Sequence, residues 1–206
     1  MNIIDELIEM FRKFPGVGPR QAERFVYYLL RQKKDYLKRM SGLIPELDSK
    51  VKNCEMCKRF YLSEHTKHNI CNICLNKNRD AKTLMIVGRD VDFQSIERSE
   101  NYIGLYFVLG GLVPILEKDY EGKIRLMELK KSIEKRQKEN ALNEIIFALN
   151  ANPEGENTTN IIKREIKDFA EKNNIKISIL GRGLSTGTEL EYSDSETIKN
   201  ALKNRF

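Results

Sequence analysis

The chain has no tryptophan, five prolines among 206 residues, and four cysteines that all fall between positions 54 and 74. No apolar run approaches the ~20 residues that span a bilayer, which excludes a transmembrane helix of the usual kind. The first residues, MNIIDELIEMF, carry acidic groups and no small-residue cleavage site, so no secretory leader is read there. In a cytosolic chain four cysteines read as metal ligands before disulfides. Charge of one sign is in modest excess only, with a formal net charge of +6, but its placement is uneven. Residues 1–80 hold 16 Lys+Arg against 10 Asp+Glu, whereas residues 81–206 hold 20 of each. The basic excess therefore lies entirely in the first two-fifths of the chain. It favours an anionic partner there, nucleic acid being the usual one, and the alternative is a solvated basic surface.

Hydrophobic residues make up 40% of the chain and charged residues 32%, so a core is possible beneath a heavily charged surface. The length suits one large domain or two small ones. Ile3, Ile4, Leu7, Ile8, Phe11 and Phe14 recur at helical spacing and predict a first amphipathic helix, stopped by Pro15-Gly16-Val17-Gly18-Pro19. Ala22, Phe25, Val26, Leu29 and Leu30 predict a second. Helical spacing continues from Tyr36 to Val51, where Gly42 and Pro45 predict a break or kink. Residues 53–79 carry the cysteines among Asn, Lys and His and are too polar for a core of their own. After Asp80 short apolar runs at 83–87, 105–109, 144–149 and 175–180 predict strands. Helices are expected near 92–100, 124–139, 156–173 and 194–204, the last opening on a Ser193–Glu196 capping-box pattern. Such alternation predicts an α/β unit with a mostly parallel sheet flanked by helices.

Three constellations carry chemistry. Cys54-Glu55-Met56-Cys57 and Cys71-Asn72-Ile73-Cys74 are two Cys-x-x-Cys knuckles, each able to give two thiolates to a tetrahedral zinc ion. Four thiolates close the coordination shell, so the expected zinc, about one per chain, is structural. His65 and His68 lie between the knuckles as competing ligands and are read as solvent-exposed; a redox pair is the alternative for the cysteines. Second, Gly16-Val17-Gly18 opens a helix that carries Arg20 and Arg24 four residues apart on one face. This is the helix-hairpin-helix pattern, in which backbone N–H groups and guanidinium groups grip phosphates without reading bases. The plain alternative is an interhelical turn with two solvated arginines.

The third constellation is the α/β part, which resembles the Toprim fold of topoisomerases and primases. That fold holds magnesium with a glutamate after its first strand and an Asp-x-Asp after its third. Here Gly88 and Asn150-Ala151-Asn152 stand at those places, and a glycine and neutral amides do not hold a hard divalent cation as carboxylates do. Asp90, Asp92, Glu154 and Glu156 remain nearby.

Taken along its whole length, the chain resembles the RecR family of bacterial recombination mediators. The resemblance rests on FPGVGPRQAERFVYYLL (14–30), the four cysteines, DFQSIE (92–97), YFVLGGLVPI (106–115), EGENTT (154–159) and GRGLSTGTELEYSDSETIKNALKNRF (181–206). It implies a helix-hairpin-helix DNA-binding region over 1–52, a four-cysteine zinc finger over 53–79, a Toprim-like domain over 80–180 and a C-terminal glycine-rich loop and helix over 181–206. RecR-like proteins are non-enzymatic, form ring-shaped homotetramers, bind DNA, and act with RecO or RecF to load RecA onto single strands coated by single-strand-binding protein. The resemblance thus places DNA contact on Gly16, Val17, Gly18, Arg20 and Arg24, and partner contact on Asp92, Glu154 and Glu156. It also implies a cytoplasmic, nucleoid-associated protein without membrane contact. Departures from the family pattern are Gly88, Asn150-Ala151-Asn152-Pro153 and a longer spacer between the cysteine pairs. Two other function classes compete, a metal-dependent Toprim nuclease or primase and a zinc-bearing sequence-specific regulator. No basic recognition helix of the helix-turn-helix kind supports the latter.

Overall fold

The computed structural model describes residues 1–63, 69–117, 119–120, 122–181, 183–184, 187 and 189–203, apart from the side chain of Glu196. The chain forms two compact units, residues 1–51 and 52–206. In the first, α1 (Ile3–Arg12), α2 (Pro19–Leu30) and α3 (Lys34–Lys50) follow in sequence. Asn2 caps α1 by accepting from the backbone N–H groups of Ile4 and Asp5. Gly16, at φ +76°, turns the chain between α1 and α2, a backbone conformation that a Cβ disfavours. Phe11 meets Phe14 and Phe25 edge to face, with ring centroids 5.6 and 5.7 Å apart. The predicted break at Gly42 and Pro45 does not occur, because α3 runs through both residues. Proline keeps a helical φ and removes one donor. The carbonyl left without that partner belongs to exposed Ser41, where water can serve it.

The second unit is built on a parallel sheet. Its strands are β3 (Asp80–Val87), β4 (Gly104–Val108), β5 (Glu144–Ala148) and β6 (Lys176–Ile179), in the order β4-β3-β5-β6. A short ribbon of β1 (Val51–Asn53) and β2 (Phe60–Leu62), with the one-turn helix α4 (Asn72–Leu75), precedes it. The connecting helices are α5 (Asp90–Arg98), α6 (Leu126–Asn140) and α7 (Pro153–Lys172), and α8 (Ser195–Lys203) follows the 3-10 turn Leu190–Tyr192. Side chains alternate across the strands and so supply two cores. Leu84, Ile86, Leu105, Phe107, Ile145 and Phe147 face α6 and α7, where they meet Leu129, Ile133, Ile162 and Ile166. Met85, Val87, Tyr106, Val108 and Ala148 face the other way, toward Phe93 of α5 and the cysteines. The expected strands and helices all appear. Helix α7, however, starts three residues before the predicted 156, because Asn152 caps it by accepting from Gly155 N–H at 2.8 Å and Pro153 fits the first turn. Among the described residues no helix is long and apolar enough to cross a membrane.

The start of α7 lies hard against the end of β5. A Cβ at Gly155 would sit 2.0 Å from the Asn150 carbonyl oxygen, so only glycine fits without backbone movement. Gly155→Ala is expected to destabilise this unit by about 1–3 kcal/mol, the usual range for overpacking. Urea unfolding followed by circular dichroism checks the loss.

Candidate metal centre and nucleic-acid interface

The metal centre is assembled by two backbone turns. Lys58 N–H donates to the Cys54 carbonyl at 2.9 Å and closes the first knuckle, with Lys58 itself at φ +60°. In the second, Cys71 precedes α4, and Leu75 N–H donates back to its carbonyl at 3.1 Å. Cys71 N–H also points at Cys54 Sγ, 3.3 Å away, so the turns present their sulfurs to one point. All four ligand atoms lie within 4.8 Å of one another, and Cys57 Sγ and Cys71 Sγ are 3.6 Å apart. A sulfur tetrahedron around zinc has edges of roughly 3.8 Å, so the residues fit that ion. Cys54, Cys57 and Cys71 are fully buried, none of the four is in a disulfide, and no other cluster of ligating side chains forms among the described residues. Crowded this closely, the thiols cannot all ionise without a cation. Hydrogen bonding to Cys54 pushes Cys57 and Cys74 well above the ordinary thiol range and draws Cys71 well below it. His65 and His68 lie outside the described residues.

The polar segment around the cysteines is held by the α/β unit as well as by its ligands. Cys57 gives its carbonyl to Val108 N–H on the outer side of β4 at 2.8 Å. Arg125 Nη1 donates to the Lys58 carbonyl at 2.8 Å, and Ser132 Oγ to the Met56 carbonyl at 3.0 Å. Asp90 Oδ1 accepts from Phe60 N–H at 2.8 Å. Arg59 lies over the Phe93 ring, 5.0 Å from its centroid. Buried Arg136 reaches the cluster from α6, with Nη2 3.7 Å from Cys74 Sγ. Sequence reading missed these contacts. One signal was present: Leu126, Leu129, Ile133 and Arg136 share one helical stripe, and a cation on an apolar stripe asks for a counter-charge.

At the carboxyl ends of the strands the acids are dispersed. Asp92 Oδ2 accepts from Arg89 N–H at 2.9 Å and caps α5, while Glu154 and Glu156 are exposed on the first turn of α7. Gly88 is buried, and a Cβ there would lie 3.2 Å from Asp92 Oδ2 and 3.3 Å from Leu112. The amide oxygen of Asn152 is engaged in capping α7.

In the N-terminal unit, Gly18 precedes α2 in extended conformation and Pro19 occupies the first helical position. Ala22 N–H donates to the Gly18 carbonyl, and Val17 N–H to Phe14. The N–H groups of Gly16, Gly18, Arg20 and Gln21 have no backbone acceptor, as befits an open helix start. Arg20 and Arg24 are both exposed, opposite the buried Ala22 and Val26. Elsewhere in this unit Leu7, Met10, Phe11, Leu29, Leu37 and Ile44 help line an apolar groove of about 610 Å³.

A family model described as RecR, helix-hairpin-helix matches residues 4–46, a Toprim domain model matches 82–181, and a RecR, C-terminal model matches 183–205. Among curated proteins, the recombination protein RecR of Phytoplasma mali is 36% identical, covering 98% of this chain and 93% of that protein. The protein of the same name from Rickettsia bellii is 36% identical over 99% of this chain and 96% of its own length. The one from Bacteroides fragilis is 34% identical, with 99% and 93% covered. Within the C-terminal block Arg182, Ser185, Thr186, Thr188 and residues 204–206 lie outside the described residues.

Removing one sulfur should empty the metal centre. Cys71→Ser is expected to purify with less than a tenth of the wild type's metal by plasma emission spectrometry, and near-ultraviolet circular dichroism should show looser surroundings for Tyr102 and Tyr106.

Proposed function

The chain belongs to the RecR family, and from that premise we propose that it is a DNA-binding recombination mediator without catalytic activity, acting in DNA repair. Its task in this reading is to work with RecO or RecF in loading RecA onto single-stranded DNA covered by single-strand-binding protein. The observation that carries the reading is the open start of α2. The unpaired N–H groups of Gly16 and Gly18, on either side of a Val17 N–H that is already held by Phe14, meet one phosphate, and Arg20 and Arg24, one turn apart and exposed, meet its neighbours. Zinc is the proposed metal, because four thiolates suit a soft-tolerant ion with tetrahedral preference and leave no open position for water. It supplies folding energy and no reactive group.

A mediator that acts by assembly needs surfaces for other chains. Asp92, Glu154 and Glu156 offer partner contacts at one end of the sheet. The N-terminal unit fully buries only Ala22 and Val26 among its apolar side chains, and Phe14, Ile44 and Leu47 are each more than half exposed. These supports favour a homotetramer in which second copies complete that core. The absence of catalysis is supported by Gly88, Asn150 and Asn152, which offer no carboxylates to hold two metal ions.

Three measurements test the proposal. Affinity for a mixed-sequence oligonucleotide should fall with salt at a log–log slope of roughly −0.7 to −0.9 per phosphate neutralised. Arg20→Ala with Arg24→Ala should flatten that slope by about two units per engaged site without altering circular dichroism, and an unchanged slope would reject the grip. Light scattering at micromolar concentration should give a mass above the 24.0 kDa of one chain, and a stable monomer would reject the assembly. No cleavage or primer synthesis is expected with magnesium or manganese, and turnover that vanishes in Asp92→Ala would favour the nuclease reading instead.

A further inference from the structure

A guanidinium withdrawn from water requires an anion or a full set of acceptors. Arg136 is 1% exposed, yet among the described residues it pairs with no carboxylate. Its Nε donates to Ser132 Oγ at 3.3 Å, and its Nη2 points at Cys74 Sγ at 3.7 Å. A neutral thiol would leave this charge uncompensated. A thiolate held by a divalent cation would not, since four thiolates and one such ion carry a net charge of −2. Arg136 supplies half of the balance, and Arg59, whose guanidinium donates to Asn72 Oδ1 in the second knuckle at 2.5 Å, supplies the other half. Ser132 extends the link, because the hydroxyl that accepts from Arg136 donates to the Met56 carbonyl inside the first knuckle. One turn of α6 therefore reaches both knuckles.

We infer that Arg136 is the charge partner of the metal–thiolate cluster and that, through Ser132, it makes the metal centre and helix α6 a single cooperative unit. The inference rests on the cysteines holding a divalent metal. Arg136 is a positioning residue: it touches a ligand sulfur, stabilises its charge and fixes its direction, as outer partners of metal ligands do. A helix that carries such a cation cannot keep its native seat once the metal and its thiolates are gone.

Metal release into excess chelator separates this from a merely structural arginine. Arg136→Met should hold zinc about 10–100-fold more weakly than wild type, the range found when outer partners of metal ligands are removed, and release it correspondingly faster. Arg136→Lys should stay within a few-fold of wild type, because it keeps the charge. In the cobalt-substituted proteins the sulfur-to-metal charge-transfer band of Arg136→Met should move to longer wavelength, since an unpaired thiolate gives up its electron more readily. The wild-type chain provides a test without substitution. On zinc removal, hydrogen exchange should quicken in residues 126–140 together with 54–75, while α7 keeps its protection. Equal release rates and bands in a folded Arg136→Met, or an α6 that stays protected without zinc, would overturn the inference. A wild-type chain that takes up neither zinc nor cobalt would overturn the metal reading and this inference with it.

Discussion

Four sulfurs gathered within 4.8 Å are the constraint on which one of the second unit's two cores depends. Neutral thiols gain little from such crowding, and thiolates repel one another, so the arrangement suits a cation at its centre. The cluster also forms part of the core on one face of the sheet. Cys54, Cys57 and Cys71 share that core with Met85, Val87, Phe93, Tyr106 and Val108, so the ligand turns take the place that a second covering helix would fill. The segment is rich in Asn, Lys and Arg because its apolar contribution is concentrated in the cysteines, Tyr61 and Ile73. With the proposed metal bound, coordination and core formation would be the same event there.

The N-terminal unit follows a different logic. Its three helices expose much of their apolar surface, and a groove of about 610 Å³ lies open between them. Its basic residues are spread over exposed helix faces, while the open start of α2 adds backbone donors beside Arg20. Electrostatic grip and apolar association can therefore operate on the same small unit without competing for the same side chains. Arg20 and Arg24 belong to neither the Phe11–Phe25 contact nor the groove.

Most of this architecture was legible in the sequence, because strand and helix periods announce themselves. The runs at 83–87, 105–109, 144–149 and 175–180 are strands within a residue or a few at either end. The knuckle spacing brought the four cysteines together as expected. What escaped was set by tertiary surroundings. Pro45 reads as a breaker from local chemistry, but an exposed helix face lets water serve the freed carbonyl. The cap at Asn152 depends on a backbone approach that only Gly155 permits. Arg136 sits in a run of charged residues, 130–139, and its interior place follows from the knuckles packed beside α6.

The hydrogen bond from Val108 N–H to the Cys57 carbonyl has a further consequence. Leu109 N–H turns inward to Val87, so Val108 N–H points away from the sheet, toward the side where no further strand lies among the described residues. Every residue of β4 is buried, which makes it the kind of apolar border strand that templates pairing between molecules when uncovered. The first knuckle covers that border at Val108 with its own backbone. A knuckle that let go of Val108 would open a hydrophobic strand edge to other chains, so the proposed metal would guard the protein against aggregation as well as against local unfolding.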